Sequence, residues 1–173
     1  MFRLSARADP AFLTEMLYEA VNWHDDGSEE RPPLDALLAD TNNARYITGW
    51  GRVGDFALCA LERNDEPVGA AWIRRFTAAE PGYGYVADDI PELAIGVYPE
   101  FRGQKVGSLL LGALIARAER EGERALSLSV HRENPAKRLY ARYAFEVVAD
   151  DGETLTMVRA ELTARFAIAC LGR

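Results

Sequence analysis

The sequence predicts an α/β fold, and three observations support this prediction. Residues 91–122 have the pattern of a buried strand, a glycine-bearing cationic turn and an amphipathic helix. Segments with the period of a strand alternate with segments of helical period along the rest of the chain. The 173 residues are 49% hydrophobic and 27% charged, as expected for one globular domain. We therefore expect a central sheet with helices packed against it.

The N-terminal part is predicted to begin with an edge strand and a capped helix. Apolar and polar residues alternate over Phe2–Ala6. Asp9 suits the cap of a helix that has Pro10 at its first position and runs to about Trp23. The chain is then expected to form a polar loop over 24–33, a short helix over 34–39 and an irregular glycine-containing segment over 41–54.

Two pairs of strands are predicted to form hairpins. Residues 56–62 and 68–76 flank Asn64-Asp65-Glu66-Pro67, and residues 145–149 and 154–159 flank Asp150-Asp151-Gly152. Turn residues of these types between apolar runs favour β-hairpins. Residues 78–89 form a long loop, and the strand over 126–130 precedes a helix that Asn134 is expected to cap.

The central strand–turn–helix block is also a candidate anion-binding site. Its strand alternates large and small apolar residues, and its helix follows Arg102-Gly103-Gln104-Lys105-Val106-Gly107 and stops at Gly122. The first amides of a helix have no intrahelical acceptor and lie at the positive end of the helix dipole. An ordinary strand-to-helix connection has the same pattern. The spacing matches neither the dinucleotide-binding fingerprint nor a P-loop.

A second block makes the pattern more specific. It is Asn134-Pro135-Ala136-Lys137-Arg138-Leu139-Tyr140-Ala141-Arg142-Tyr143-Ala144-Phe145. The two blocks resemble the motifs R/Q-x-x-G-x-G/A and N-x-x-A-x-x-L-Y-x-x-x-G-F of the GCN5-related N-acetyltransferase (GNAT) superfamily, and the resemblance covers roughly residues 2–159. Lys105 and Ala144 replace two glycines of these motifs. Because positive φ costs such residues about 1 kcal/mol or more, we expect either regular backbone or a reshaped loop there.

The resemblance implies a central splayed mixed sheet of six to seven strands flanked by helices. It also implies a single domain over residues 1–173, with a core at about 2–159 and an extension at 160–173. The extension is expected to form a short helix that covers a sheet edge or meets a second subunit, as in a homodimer.

The resemblance further implies acetyl-CoA as co-substrate, with no metal. The pantetheine arm would pair with the strand around Ile95–Tyr98, where Gly96 leaves room, and an amide near Val97 or Tyr98 would hold the oxyanion. The pyrophosphate would lie on amides of Gly103–Ser108. The expected cofactor-binding residues are Ile95, Val97, Arg102, Gly103, Gln104, Lys105, Val106, Gly107, Ser108, Asn134 and Lys137.

Two residues are expected to carry the chemistry by the same resemblance. Tyr140 would donate a hydrogen bond or proton to the departing thiolate, since its reference pKa is about 10 and that of a thiol about 8.5. Packing of Tyr140 on the sheet is the alternative. Glu92 would take the proton of the attacking ammonium, often through water, and burial beside Tyr98 would raise its pKa. Asp88, Asp89 and His131 are alternative bases.

The acceptor is expected to be a primary amine of a small molecule or a peptide. Asp88, Asp89 and Glu92 would attract its cationic form. The aromatic residues expected to line its site are Tyr83, Tyr85, Trp23, Trp50 and Trp72. The sequence does not specify which amine is used.

Composition argues against several other classes of protein. A net charge of −7 disfavours a general affinity for nucleic acid. Two cysteines and two histidines are too few for a disulfide framework or a metal site. No apolar run reaches membrane-spanning length, and the N-terminus lacks a secretory pattern, so a cytoplasmic location is expected.

The function predicted on these grounds is transfer of an acetyl group from acetyl-CoA to a primary amine, by direct attack in a ternary complex. The alternative on the same fold is a catalytically silent CoA-binding sensor or interaction module. A third hypothesis is an unrelated anion-binding α/β domain.

Overall fold

A computed structural model describes residues 2–6, 8–24 and 31–160. Within these ranges, seven strands form an open sheet in the order β1-β2-β3-β4-β5-β7-β6. The strands are β1 (Arg3–Ser5), β2 (Phe56–Leu61), β3 (Pro67–Arg74), β4 (Glu92–Val97), β5 (Leu126–His131), β6 (Glu146–Asp150) and β7 (Thr154–Arg159). The helices are α1 (Pro10–Val21), α2 (Leu34–Ala39), α3 (Thr41–Ala44), α4 (Val106–Arg120) and α5 (Ala136–Arg142).

The sheet is mixed, as predicted. Strand β4 runs parallel to β5, whereas the pairs β1–β2, β2–β3, β5–β7 and β6–β7 are antiparallel. The mixed α/β fold with six to seven strands flanked by helices is therefore confirmed. Residues 161–173, for which a short helix was expected, lie outside the described residues.

The first of two compact units comprises the described residues within 2–74 together with residues 94–111. Its helix α1 begins as predicted: the Asp9 carboxylate accepts a hydrogen bond from the amide of Ala11 at 3.0 Å, and Pro10 occupies the first turn. Leu13 and Met16 of α1 are fully buried in the core of this unit.

A buried ion pair organises residues 45–55 of the same unit. The guanidinium of Arg74 has no exposed surface and lies 3.0 Å from the carboxylate of Asp55. It also donates hydrogen bonds to the carbonyl oxygens of Arg45, Thr48 and Gly49. Satisfying a buried guanidinium in this way holds an irregular segment in one conformation.

Helix α3 was not predicted, because residues 41–54 have the composition of a loop. The carboxylate of Asp40 accepts a hydrogen bond from the amide of Asn42 at 2.8 Å, which caps this short helix. The rest of the segment is irregular as expected, with positive φ at Gly49, Gly51 and Gly54.

Over the described residues, the second unit comprises residues 75–93 and 112–160. Here Glu92 pairs in parallel register with Ser127. The predicted start of α5 is confirmed, since the Asn134 side chain accepts a hydrogen bond from the amide of Ala136 at 2.9 Å. The predicted hairpin at Asp150-Asp151-Gly152 joins β6 to β7. Buried residues of this unit's core include Leu114, Leu126, Leu128, Phe145 and Met157.

Candidate active site

The turn before α4 lies on the surface of the first unit. Gly103, Gln104 and Lys105 are exposed, whereas Val106 is buried. A Cβ added to Gly103 would meet no atom within 4 Å. The amide of Leu109 bonds to the carbonyl of Lys105 at 3.0 Å, so the amides between them precede the intrahelical ladder. The turn is therefore open at the positive end of the helix dipole and can accept a phosphate.

Both replaced motif glycines keep a glycine-like backbone. Lys105 has φ 67° and Ala144 has φ 61°. Of the two alternatives that the sequence left open, helical or extended backbone is therefore wrong at both positions. A left-handed conformation costs a residue with a Cβ about 1–2 kcal/mol, which the surrounding fold must offset.

The guanidinium of Arg102 is directed at protein acceptors. It donates to the carbonyl oxygens of Val97, Trp23 and Glu19, each at 3.2 Å, and to the carboxylate of Glu19 at 3.0 Å. We expected this positive charge to help the turn before α4 attract an anion. Instead the side chain holds the turn against α1. The prediction that Arg102 binds the cofactor therefore remains only for its backbone groups.

Strand β4 corrects two expectations about the cofactor. A Cβ on Gly96 would lie 2.0 Å from the carbonyl oxygen of Met16, so this glycine makes room for the backbone of α1 and not for pantetheine. The amide of Tyr98 bonds to the carbonyl of Val68 at 3.1 Å, which leaves Val97 as the expected oxyanion donor. Ile95 and Val97 are half-buried.

Tyr140 lies on α5 within the second unit, where it is 6% exposed. Its ring packs edge-on against Phe145, with 6.1 Å between ring centroids. Burial raises the pKa of the Tyr140 phenol. Among residues 2–6, 8–24 and 31–160, none forms a hydrogen bond with its hydroxyl. The packing alternative is thus observed, while the hydroxyl keeps its capacity to donate.

Glu92 opens β4 in the second unit and is 3% exposed. Its Oε1 accepts a hydrogen bond from the amide of Gly84 at 2.8 Å. The carboxylate therefore lies inside the protein, and its predicted role as base stays a prediction. Tyr98 was expected beside it, but the Tyr98 hydroxyl donates to the carboxylate of Glu15 at 2.5 Å.

Three other predicted side chains make local contacts. The Asn134 side chain caps α5, and the ammonium of Lys137 donates to the carbonyl of Arg132. The Nδ1 of His131 accepts a hydrogen bond from the amide of Glu133 at 3.2 Å. Cofactor binding by Asn134 and Lys137 stays a prediction.

The residues expected around the acceptor differ in exposure. Tyr83 is 52% exposed, but Trp72 is 0% exposed in β3, so the expectation that Trp72 lines a site is wrong. The hydroxyl of Tyr85 donates to Asp88 at 2.5 Å. This hydrogen bond raises the pKa of the Tyr85 phenol. Trp50 packs under Arg74, with the guanidinium carbon 5.7 Å from its ring centroid.

Over the described ranges, no group of three or more His, Cys, Asp or Glu side chains is placed to hold a metal ion. In the same part of the chain, none of the helices combines the length and apolar character needed to cross a membrane.

Sequence comparison identifies the class of protein. The profile of the Acetyltransferase (GNAT) family matches residues 14–145. The chain therefore belongs to the GNAT family. It is also 32% identical over 124 residues to a mycothiol acetyltransferase of Brachybacterium faecium, covering 70% of this chain and 35% of that protein. The chain thus spans about a third of the length of this curated relative.

Solved structures share the fold. A paia N-acetyltransferase from Thermoplasma acidophilum in complex with coenzyme A aligns with a TM-score of 0.68 and 18% identity over 92% of this chain and 99% of that chain. A GNAT superfamily phosphinothricin acetyltransferase from Sinorhizobium meliloti in complex with AcCoA aligns with a TM-score of 0.65 and 24% identity, over 92% and 88%.

Sequence reasoning missed Glu19, which is 7% exposed. Its carboxylate binds Arg102 at 3.0 Å and Arg31 at 2.7 Å. Glu19 has an ordinary place in an amphipathic helix, and Arg102 is 83 residues away along the chain, so no local pattern identifies the pair.

Proposed function

We propose that the chain is an acetyl-CoA-dependent N-acetyltransferase acting on a primary amine by direct attack in a ternary complex. Membership of the family is the observation that carries the proposal, together with the exposed turn at the start of α4. Acetyl-CoA supplies the acetyl thioester when it is bound. The acceptor is proposed to be a small molecule or a peptide, used by one domain in the cytoplasm, either as a monomer or as a homodimer.

The turn fits the diphosphate of acetyl-CoA. Gly103, Gln104 and Lys105 are exposed and the space beside Gly103 is open, so phosphate oxygens can approach this part of the turn and the ammonium of Lys105. The proposed amide ligands are those of Gly103–Ser108. Because the charge of Arg102 is already paired with Glu19, Lys105 is the cation proposed to add attraction.

In the proposed reaction the neutral amine nitrogen forms a bond to the carbonyl carbon, and the carbonyl oxygen becomes an oxyanion. The carbon–sulfur bond then breaks, and CoA leaves as the thiolate. Glu92 is proposed to take the proton that the amine loses, through an internal water because the carboxylate is buried. The amide of Val97 is proposed to hold the oxyanion.

Tyr140 is proposed to stabilise the departing thiolate by a hydrogen bond. Its pKa is raised above the usual value by burial, whereas a thiol has a pKa of about 8.5, so complete proton transfer to the thiolate is uphill. The phenol therefore stays protonated and acts as a donor, which lowers the energy of the leaving group as its charge develops.

The deciding experiment follows free-thiol release from acetyl-CoA with pooled amines. Burial raises the pKa of the Cys59 thiol to about 11, so this cysteine contributes little background. A blank without amine corrects for Cys170 and for hydrolysis. Amine-dependent release at a rate that saturates with acetyl-CoA is the expected result.

Thermal unfolding with and without acetyl-CoA separates the alternatives. A ligand at a hundred times its dissociation constant should add about 2.7 kcal/mol of stability. Protection without release for any amine would favour the CoA-binding sensor. An absence of both protection and release would exclude both functions and leave an unrelated anion-binding domain.

A further inference from the structure

Glu92 is enclosed by a glycine-containing segment of its own unit. The amide of Gly84 donates to its Oε1 at 2.8 Å. A Cβ on Gly82 would lie 2.2 Å from its Oε2 and 2.8 Å from the ring of Phe76. The carboxylate is therefore held on one side by an amide and on another by the bare backbone of a glycine.

The segment that contains Gly82 and Gly84 also packs closely against strand β5. A Cβ on Gly84 would lie 2.4 Å from the carbonyl carbon of Leu128 and 2.6 Å from the amide nitrogen of Ser129. A backbone contact this close cannot be relieved by turning a side chain. Neither Gly82 nor Gly84 has a positive φ, so lack of space for a Cβ is the reason for glycine at both positions. The close contacts are with backbone at Gly84 and with the side chains of Glu92 and Phe76 at Gly82.

Ser127 lies next to Glu92 in the sheet. The two residues are register partners of parallel strands, so their side chains project from the same face. Ser127 is 0% exposed, and within the described residues its hydroxyl has no hydrogen-bond partner. A buried hydroxyl of this kind requires an explanation, and an ordered internal water is the usual one.

We propose that Gly82, Gly84 and Ser127 form a positioning shell for Glu92, and that the Ser127 hydroxyl holds an internal water beside its carboxylate. The inference rests on the proposed function, in which Glu92 takes a proton from the amine through water. The shell fixes where that water lies and which way the carboxylate faces. None of the three residues touches the substrate.

Ser127→Ala tests the shell with little change in volume. We expect kcat to fall about tenfold because the relay water is misplaced, while KM for acetyl-CoA and for the amine stays within about twofold. Ser127→Thr keeps the hydroxyl and should recover most of the lost turnover. Ser129→Ala is the matched control, since it removes the same group from the same face two residues along β5.

A high-resolution crystal structure supplies a readout that does not need activity. Electron density for a water is expected within hydrogen-bond distance of Ser127 Oγ in the wild type and absent in Ser127→Ala. A wild type without that density, or an Ser127→Ala variant with unchanged kcat, would overturn the proposal. A wild type that transfers acetyl to no amine would instead overturn the proposed function, while the density would still decide on the water.

Discussion

Two glycines differ in the space around them: Gly103 in the turn before α4 is in an open environment, and Gly84, whose amide bonds to Glu92, is tightly packed. Gly103 has φ 75° and a Cβ there would meet nothing within 4 Å, so glycine serves the backbone conformation. Gly84 has an ordinary φ, but a Cβ would lie 2.4 Å from the backbone of β5, so glycine serves close packing. The first segment is open to solvent, and the second is closed around one carboxylate.

The polar groups of the two regions differ in the same way. Lys105 is exposed in the turn, whereas Glu92, Ser127 and Tyr140 are buried. Exposed groups interact weakly through solvent, while buried groups act in a medium of low dielectric constant. Substitutions in the turn should therefore change cofactor affinity by small factors, and substitutions among the buried groups should change turnover or stability strongly.

The largest effect is expected from Tyr140→Phe. Removal of the hydroxyl should lower kcat about a hundredfold because the thiolate loses its hydrogen-bond donor, with KM for acetyl-CoA nearly unchanged. Stability should not fall, since no described residue bonds to this hydroxyl. Steady-state kinetics and urea unfolding measure the two quantities.

Tyr143→Phe is the matched control for this prediction. Tyr143 is the residue directly after α5, three positions beyond Tyr140, and we assign it no chemical role. An equal loss of kcat in both variants would show that the helix end, and not the Tyr140 hydroxyl, was disturbed. Full turnover in Tyr140→Phe would remove this residue from the mechanism.

The next effect concerns the two glycines directly. Gly84→Ala should lower the free energy of unfolding by about 1–3 kcal/mol, because the added methyl collides with backbone. Gly103→Ala should cost about 1 kcal/mol, from conformational strain alone. Urea denaturation at constant pH measures both.

Substitution by asparagine distinguishes backbone strain at Gly103 from steric collision at Gly84, since asparagine tolerates positive φ better than alanine. Gly103→Asn should recover part of the stability lost in Gly103→Ala. Gly84→Asn should be less stable than Gly84→Ala, because its side chain is larger. Rescue by asparagine at both positions would contradict the distinction between conformation and space.

The same distinction explains what the sequence could predict. The Asp9–Pro10 helix start, the hairpin at Asp150–Gly152 and the turn before α4 depend on residues close together in the chain, and all three are confirmed. The pairing of Arg102 with Glu19 and the fit of Gly84 against Leu128 depend on tertiary contacts. No local pattern indicates them, because glycine and glutamate are common at such positions for many reasons.

A smaller effect is expected where non-glycine residues have positive φ. Ala144→Gly should stabilise the protein by about 0.5–1 kcal/mol, since relief of about 1–2 kcal/mol of strain exceeds the extra entropy that glycine gives the unfolded chain. Lys105→Gly should give a similar gain in the absence of ligand. Only Lys105→Gly should also weaken CoA binding. A loss of stability in both variants would contradict the inference that Lys105 and Ala144 are strained by their positive φ.

The smallest effect is expected from removing the charge of Lys105 alone. Lys105→Gln should raise the dissociation constant for CoA by up to about fivefold at low salt, as expected for an exposed charge of about 0.2–1 kcal/mol. The difference from wild type should shrink as salt approaches 1 M, where the Debye length is only about 3 Å. Arg120→Gln, at the opposite end of α4, changes the net charge equally and should leave the affinity almost unchanged. If the loss in Lys105→Gln persisted at 1 M salt, its ammonium would act by a direct hydrogen bond, and the turn would resemble the closed region more than the open one.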